Sequence, residues 1–130
     1  MGLPWMSDWP ARYEGTIDEV VCFPGFPGIP ETPLSAKHVV RFLSDFQARR
    51  VDLALQMHGT GRHINDFVAL LDARQSAGYC EPEEADLWGP TYLRYQRDEH
   101  EIHRWLRLAA HCGAPSLGSE LFFPLRDQDF

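Results

Sequence analysis

The sequence predicts an α/β fold, a parallel sheet with flanking helices, and three observations carry that expectation. Short β-branched or apolar runs alternate with stretches whose apolar residues recur at helical spacing. The run Val51-Asp52-Leu53-Ala54-Leu55-Gln56-Met57 delivers a polar, glycine-spaced turn, His58-Gly59-Thr60-Gly61-Arg62, to a second helical pattern, as a buried parallel strand does. The succession strand, helix, strand, helix, strand then requires parallel pairing through right-handed crossovers. With 130 residues, 44% of them hydrophobic, the chain can build one core but not two ordinary domains. Residues 1–130 are read as a single domain.

The first strand is expected at Asp18-Glu19-Val20-Val21-Cys22-Phe23, a β-branched run. It is stopped by Pro24-Gly25-Phe26-Pro27-Gly28-Ile29-Pro30, whose repeated Pro and Gly neither continue a strand nor begin a helix. From Pro33 onward Val39, Val40, Phe42, Leu43 and Phe46 fall at helical spacing, with Lys37, Arg41, Asp45 and Arg49 mostly opposite, predicting an amphipathic helix that ends near Arg50. Leu53–Met57 is the next strand, Ile64–Leu71 a short helix, and Ser76–Tyr79 a weak strand. After Cys80 comes an acidic, irregular piece, then Trp88-Gly89-Pro90 and an aromatic run through Tyr92 and Tyr95 with no convincing period. Asp98 is placed to cap a helix striped by Ile102, Trp105, Leu106, Leu108 and Ala109 and ended by Gly113 and Pro115. Leu121-Phe122-Phe123 is a candidate last strand. There is no internal repeat.

A formal charge of −7 argues against a nucleic-acid partner and against an anionic membrane surface beyond peripheral contact, although Arg49, Arg50 and Arg62 can still form a local positive spot. Cys22, Cys80 and Cys112 are odd in number and lack C-x-x-C or zinc-ribbon spacing, which points to free thiols in a reducing compartment. The start shows no basic n-region followed by an apolar h-region, and no apolar run is long enough to cross a bilayer, so a cytoplasmic protein is expected.

Function is expected where the second strand ends, at Met57 to Asn65. Gly59 and Gly61 can adopt positive φ and let successive backbone N–H groups converge on an anion or a sugar hydroxyl. His58, Thr60, Arg62 and Asn65 add a titratable imidazole, a hydroxyl, a fixed cationic fork and an amide. The candidate substrate-binding set is therefore His58, Gly59, Thr60, Gly61, Arg62 and Asn65. The plain alternative is a tight strand-to-helix connection that uses glycine for geometry alone.

Other chemistry is less well supported. His100 and His103 lie three apart on a helix, but His100-Glu101-Ile102-His103 has one residue too few after His-Glu for the zinc-protease motif, and a solvated helix face accounts for them. A strand followed by His-Gly-x-Gly is similar to the oxyanion loop of esterases, yet no G-x-S-x-G is present and Ser116-Leu117-Gly118-Ser119 follows a helix. Trp5, Trp9 and Tyr13 can be read as a sugar-stacking platform, although such residues more often pack a helix onto a sheet.

Four segments together resemble part of the amino-terminal domain of glycosyltransferase family 9, the group that includes the ADP-heptose:lipopolysaccharide heptosyltransferases. They are Gly2-Leu3-Pro4-Trp5, the stretch from Ile17 through Phe23-Pro24-Gly25-Phe26-Pro27-Gly28-Ile29-Pro30-Glu31, the strand and loop from Asp52 to Asn65, and Glu99-His100-Glu101-Ile102 leading to Phe123-Pro124-Leu125. Their order and spacing agree over nearly the whole length.

The resemblance implies one half of a GT-B enzyme, in which two Rossmann-like domains face a cleft, the first receiving a glycan acceptor such as a lipopolysaccharide core sugar and the second a nucleotide-sugar donor. It implies an inverting transfer without catalytic metal or other cofactor, a carboxylate acting as base on the acceptor hydroxyl. The His58–Asn65 loop would line the acceptor side. The family's first strand and the glycine-aspartate turn bearing the proposed base would fall ahead of Met1, and the donor half beyond Phe130, so the expected fold is an incomplete Rossmann-like sheet with its first strand missing. Neither Asp52 nor Asp66 occupies the base's place, and no catalytic residue is assigned. In the doubly wound order the missing strand lies between the second and the fourth, so unpaired internal edges and self-association are expected, with the chain inactive alone. The competing reading is a non-catalytic α/β module that binds an anionic small molecule or a partner through the same loop.

Overall fold

The computed structural model describes residues 1–130, the side chain of Gln128 excepted. Three parallel strands form its sheet in the order β1-β2-β3: Leu53–Leu55 (β1), Gln75–Cys80 (β2) and Tyr92–Arg94 (β3). Leu53 lies opposite Gln75 and Leu55 opposite Ala77; on the other side of β2, Gly78 faces Tyr92 and Cys80 faces Arg94. Around the sheet run α1 (Trp9–Arg12), α2 (Ala36–Gln47), α3 (Asn65–Leu70), α4 (Ala85–Trp88) and α5 (Glu101–His111). The parallel sheet with flanking helices is thus present; β1 and β2 fall where the sequence places strands, with shifted ends, and β3 does not.

Asp18–Phe23 does not form a strand. It is bridged only at Cys22, in parallel with Gly2, through Gly2 N–H to Val21 O at 3.0 Å and Phe23 N–H to Gly2 O at 2.9 Å. A ladder needs a second extended chain, and Gly2 leads at once into the 3-10 turn Pro4–Met6, so one rung is all this segment obtains. The sheet instead gains β3 from the aperiodic aromatic run. Tyr92 is buried there, and Tyr95 N–H bonds Cys80 O at 2.9 Å.

β2, expected to be weak, is the central and best-buried strand. Ala77, Gly78, Tyr79 and Cys80 are all buried. Its low-propensity residues have a packing reason: a Cβ on Gly78 would come within 2.6 Å of Gln56 Cβ. β1 is shorter than Leu53–Met57 because the chain turns away after Gln56 N–H bonds Ala77 O at 2.8 Å.

α5 covers the face of β2 that carries Ala77 and Tyr79, which with Leu108 make the core, packed about by Leu93, Tyr95, Trp105 and Cys112. A second cluster centres on Phe67 of α3, whose ring meets those of Phe23 and Phe26 edge-on at 5.2 Å and stacks against Phe42 of α2 at 6.1 Å. In α2, Val39 is buried and Val40 is turned outward. The cap of α5 is His100, which accepts from Ile102 N–H at 3.3 Å, and not Asp98. Its end is as expected: Gly113 takes φ +88° and Ala114 N–H closes back on Ala109 O. Leu121–Phe123 forms no strand, for no sheet edge lies beside it; these residues remain exposed.

Candidate functional site

Parallel strands aim their carboxyl ends at one edge of the sheet, and there the turn after β1 is held from below by two buried amides. Gln56, at 1% exposure, accepts Tyr79 N–H at Oε1 (3.0 Å) and donates from Nε2 to His58 O (2.6 Å), tying the strand end to both β2 and the turn. Asn65, also 1% exposed, donates from Nδ2 to Tyr79 O at 2.9 Å. Gly61 lies between them at φ +84°. A Cβ there would come within 2.2 Å of Tyr79 O and 2.4 Å of Asn65 Nδ2, so only glycine allows this approach. The turn closes through Gly61 N–H to His58 O and starts α3 through Asn65 N–H to Gly61 O.

The six residues singled out in the sequence therefore divide. His58, Gly59 and Arg62 are exposed and Thr60 is half-buried, its hydroxyl accepting Arg62 N–H at 3.4 Å. Gly61 and Asn65 face inward. The Asn65 amide braces the turn, its Nδ2 donating to Tyr79 O, while its Oδ1 is buried without a hydrogen-bond partner. The sequence identified a polar amide near the turn but not the direction in which it points.

A second loop meets the first. Gly28, at φ +83°, runs so close to His63 that a Cβ would lie 2.8 Å from the imidazole Nδ1. The same Pro-Gly loop brings Glu31 to His58, Oε1 to Nε2 at 3.6 Å. Glu31 and Gln56 are the members of this region that the sequence reading did not identify. The available signals were a carboxylate ending the Pro-Gly stretch and a polar residue at the close of an apolar strand.

Beneath this lip runs an apolar cavity of about 520 Å³. Its walls are β1 on one side and Gly2 with Phe23 on the other; Phe67, Val68 and Leu71 form its floor, and His58 and Glu31 stand at its rim. The lip offers an imidazole, a carboxylate, a hydroxyl and a guanidinium with no ion-pair partner among the described residues. These can orient a polyhydroxylated or anionic molecule by hydrogen bonds and charge.

Away from the lip, His100 and His103 are exposed on α5 with ring centres 5.8 Å apart, and among the described residues no group of three or more His, Cys, Asp or Glu is placed to hold a metal ion. Trp5, Trp9 and Tyr13 form an edge-on series continued by Phe123, over which Arg12 lies at 4.7 Å. Trp5 is 67% exposed, while Trp9 and Tyr13 are half-buried against the returning C-terminal segment. No helix is long and apolar enough to cross a membrane among the described residues. No protein-family model, curated protein or solved structure matches the chain.

Proposed function

We propose that this chain is the acceptor-side part of an inverting sugar transferase of the GT-B type, with the loop after β1 receiving a glycan such as a lipopolysaccharide core sugar. The observation that carries the reading is the lip itself: His58, Thr60 and Arg62 project from a glycine-built turn at the carboxyl end of a parallel strand, where open α/β sheets take their ligands. The resemblance of Ile17–Glu31 and Asp52–Asn65 to glycosyltransferase family 9 supplies the substrate class.

In this reading His58, Thr60, Arg62 and Glu31 bind and orient acceptor hydroxyls and acidic groups. Gln56, Gly61 and Asn65 hold the turn that presents them. The base that deprotonates the acceptor and the half that carries the nucleotide sugar are not assigned to any residue of the chain, so binding, and not turnover, is the property to measure.

Titration of the 130-residue chain with a lipopolysaccharide core oligosaccharide, followed by amide chemical shifts, should perturb His58–Arg62 and Glu31. Arg62→Ala should weaken binding about tenfold, the scale of one charged hydrogen bond. Shift changes confined to other regions, or Arg62→Ala binding unchanged, would remove the lip from the acceptor site. If simple anions such as inorganic phosphate bind the lip while the oligosaccharide does not, the non-catalytic anion-binding module takes its place.

A further inference from the structure

We infer that α1 presents a peptide-binding site which residues 123–129 of the same chain occupy in cis, and that the partner it fits is an extended peptide carrying an aromatic residue and, six residues on, an aspartate. The inference is independent of the sugar-transfer reading, since it concerns the surface of α1 and not the lip.

The seated segment shows what the site recognises. Arg12, its side chain 11% exposed, donates from Nη1 to Pro124 O at 2.9 Å and grips the Asp129 carboxylate through Nη1 and Nη2, each at 2.8 Å. One planar guanidinium thus reads a peptide carbonyl and both oxygens of a carboxylate, a directional, charge-assisted contact. The ring of Phe123 lies edge-on to Tyr13 at 6.4 Å, with the Arg12 guanidinium over it at 4.7 Å. Arg126 donates to Asp8 O at 3.3 Å, and its N–H bonds Asp129 Oδ2 at 2.7 Å, which folds the segment so that Pro124 O and the Asp129 carboxylate reach the same arginine. A single helical turn, from Asp8 to Tyr13, supplies these contacts.

Little besides this polar grip holds the segment in place. Residues 113–123, which lead to it from α5, are all exposed, and within the segment Leu125 is 66% exposed. The core made by Ala77, Tyr79 and Leu108 does not include it. A segment fixed by one arginine and reached through an exposed tether exchanges with a competitor of the same chemistry, and the tether sets how strong that competitor must be. Linked in this way, the cis segment acts at an effective concentration on the order of millimolar. A free peptide therefore binds well only where the cis contacts are weakened and Arg12 is kept.

Two measurements on the full chain test this. In the first, Arg12→Gln releases the segment, so tryptic cleavage after Arg126 should quicken about tenfold or more, the scale of one charged hydrogen bond, while the urea midpoint stays unchanged. In the second, a fluorescent peptide with the sequence of residues 122–130, capped at both ends, is titrated and followed by anisotropy. It should bind the Asp129→Asn chain at least tenfold more tightly than the parent, and adding Arg12→Gln to that chain should abolish binding. The same peptide with asparagine in place of the aspartate that corresponds to Asp129 should bind at least tenfold more weakly. Cleavage as slow in Arg12→Gln as in the parent would overturn the proposal. A urea midpoint that falls with Arg12→Gln would overturn it too, by making the segment part of the cooperative fold. So would a peptide that binds neither chain, or one that binds equally with and without Arg12.

Discussion

The two sides of the sheet are finished differently. From β2 toward β3 and α5 the sheet is covered: Tyr79 is fully buried, its hydroxyl donates to Arg104 O, and Arg104 and Arg107 lie over the rings of Tyr95 and Tyr79. From β1 toward Gly2 the ladder stops, Leu53, Leu55 and Met57 are exposed by 41–53%, and a cavity stands where the next strand would be. The open strand is the more apolar in sequence, Leu-Ala-Leu against Gln-Ser-Ala-Gly-Tyr-Cys. What differs is whether a parallel neighbour is present, so in this fold stability is set by strand partners more than by local apolar content.

Core truncation should break the comparison most clearly. Leu108→Ala removes a side chain at 1% exposure beneath Tyr79 and should cost about 4 kcal/mol by urea unfolding. Leu55→Ala, at 41% exposure on the open side, should cost less than about 1 kcal/mol. Equal losses would mean that β1 is as well buried as β2.

Much of the closed side was hidden in the sequence. β2 reads as Gln-Ser-Ala-Gly-Tyr-Cys, poor in β-branched residues, because Gly78 must admit Gln56 and not because the strand is marginal. β3 follows Trp88-Gly89-Pro90 with aromatic residues whose burial depends on β2 and α4, which no local period records. The open side was over-read for the same reason: Val20 and Val21 favour a strand, but propensity does not provide a second chain to pair with. The loop after β1 was legible as a glycine-built turn. Its division into outward His58 and Arg62 and inward Asn65 was not, since it depends on Tyr79 O fourteen residues further on, a tertiary partner.

The junction between the two sides gives the next effect. Gly61→Ala sets a methyl group 2.2 Å from Tyr79 O in a left-handed backbone and should cost about 3 kcal/mol. Gly59 is left-handed too, at φ +55°, but nothing lies within 4 Å of its added Cβ, so Gly59→Ala should cost only about 1 kcal/mol. Thermal unfolding of the pair separates the close approach from the backbone conformation. Similar losses would show that Gly61 is needed for φ alone.

Acid sensitivity should distinguish the two sides by the smallest margin. Glu99 accepts from Arg107 Nε at 2.8 Å and Nη2 at 2.6 Å, and that hydrogen bonding, opposed by desolvation and helped by the guanidinium charges, holds its carboxyl below the usual carboxylate range. Glu19 is held low as well, chiefly by its hydrogen bonds from Arg49, but on the open side it is 56% exposed at the side chain. A carboxyl lowered in the folded state stabilises the protein above its unfolded value, near 4.3, and that contribution is lost as pH falls through the folded value. Glu99→Gln should therefore lower stability at pH 7, by on the order of 1–2 kcal/mol, and flatten the decline below about pH 4. Glu19→Gln should change neither measurably, because solvent screens the exposed pair. Urea midpoints from pH 2 to 7 test both variants, and an acid limb that follows Glu19 instead of Glu99 would place the electrostatic anchor on the open side.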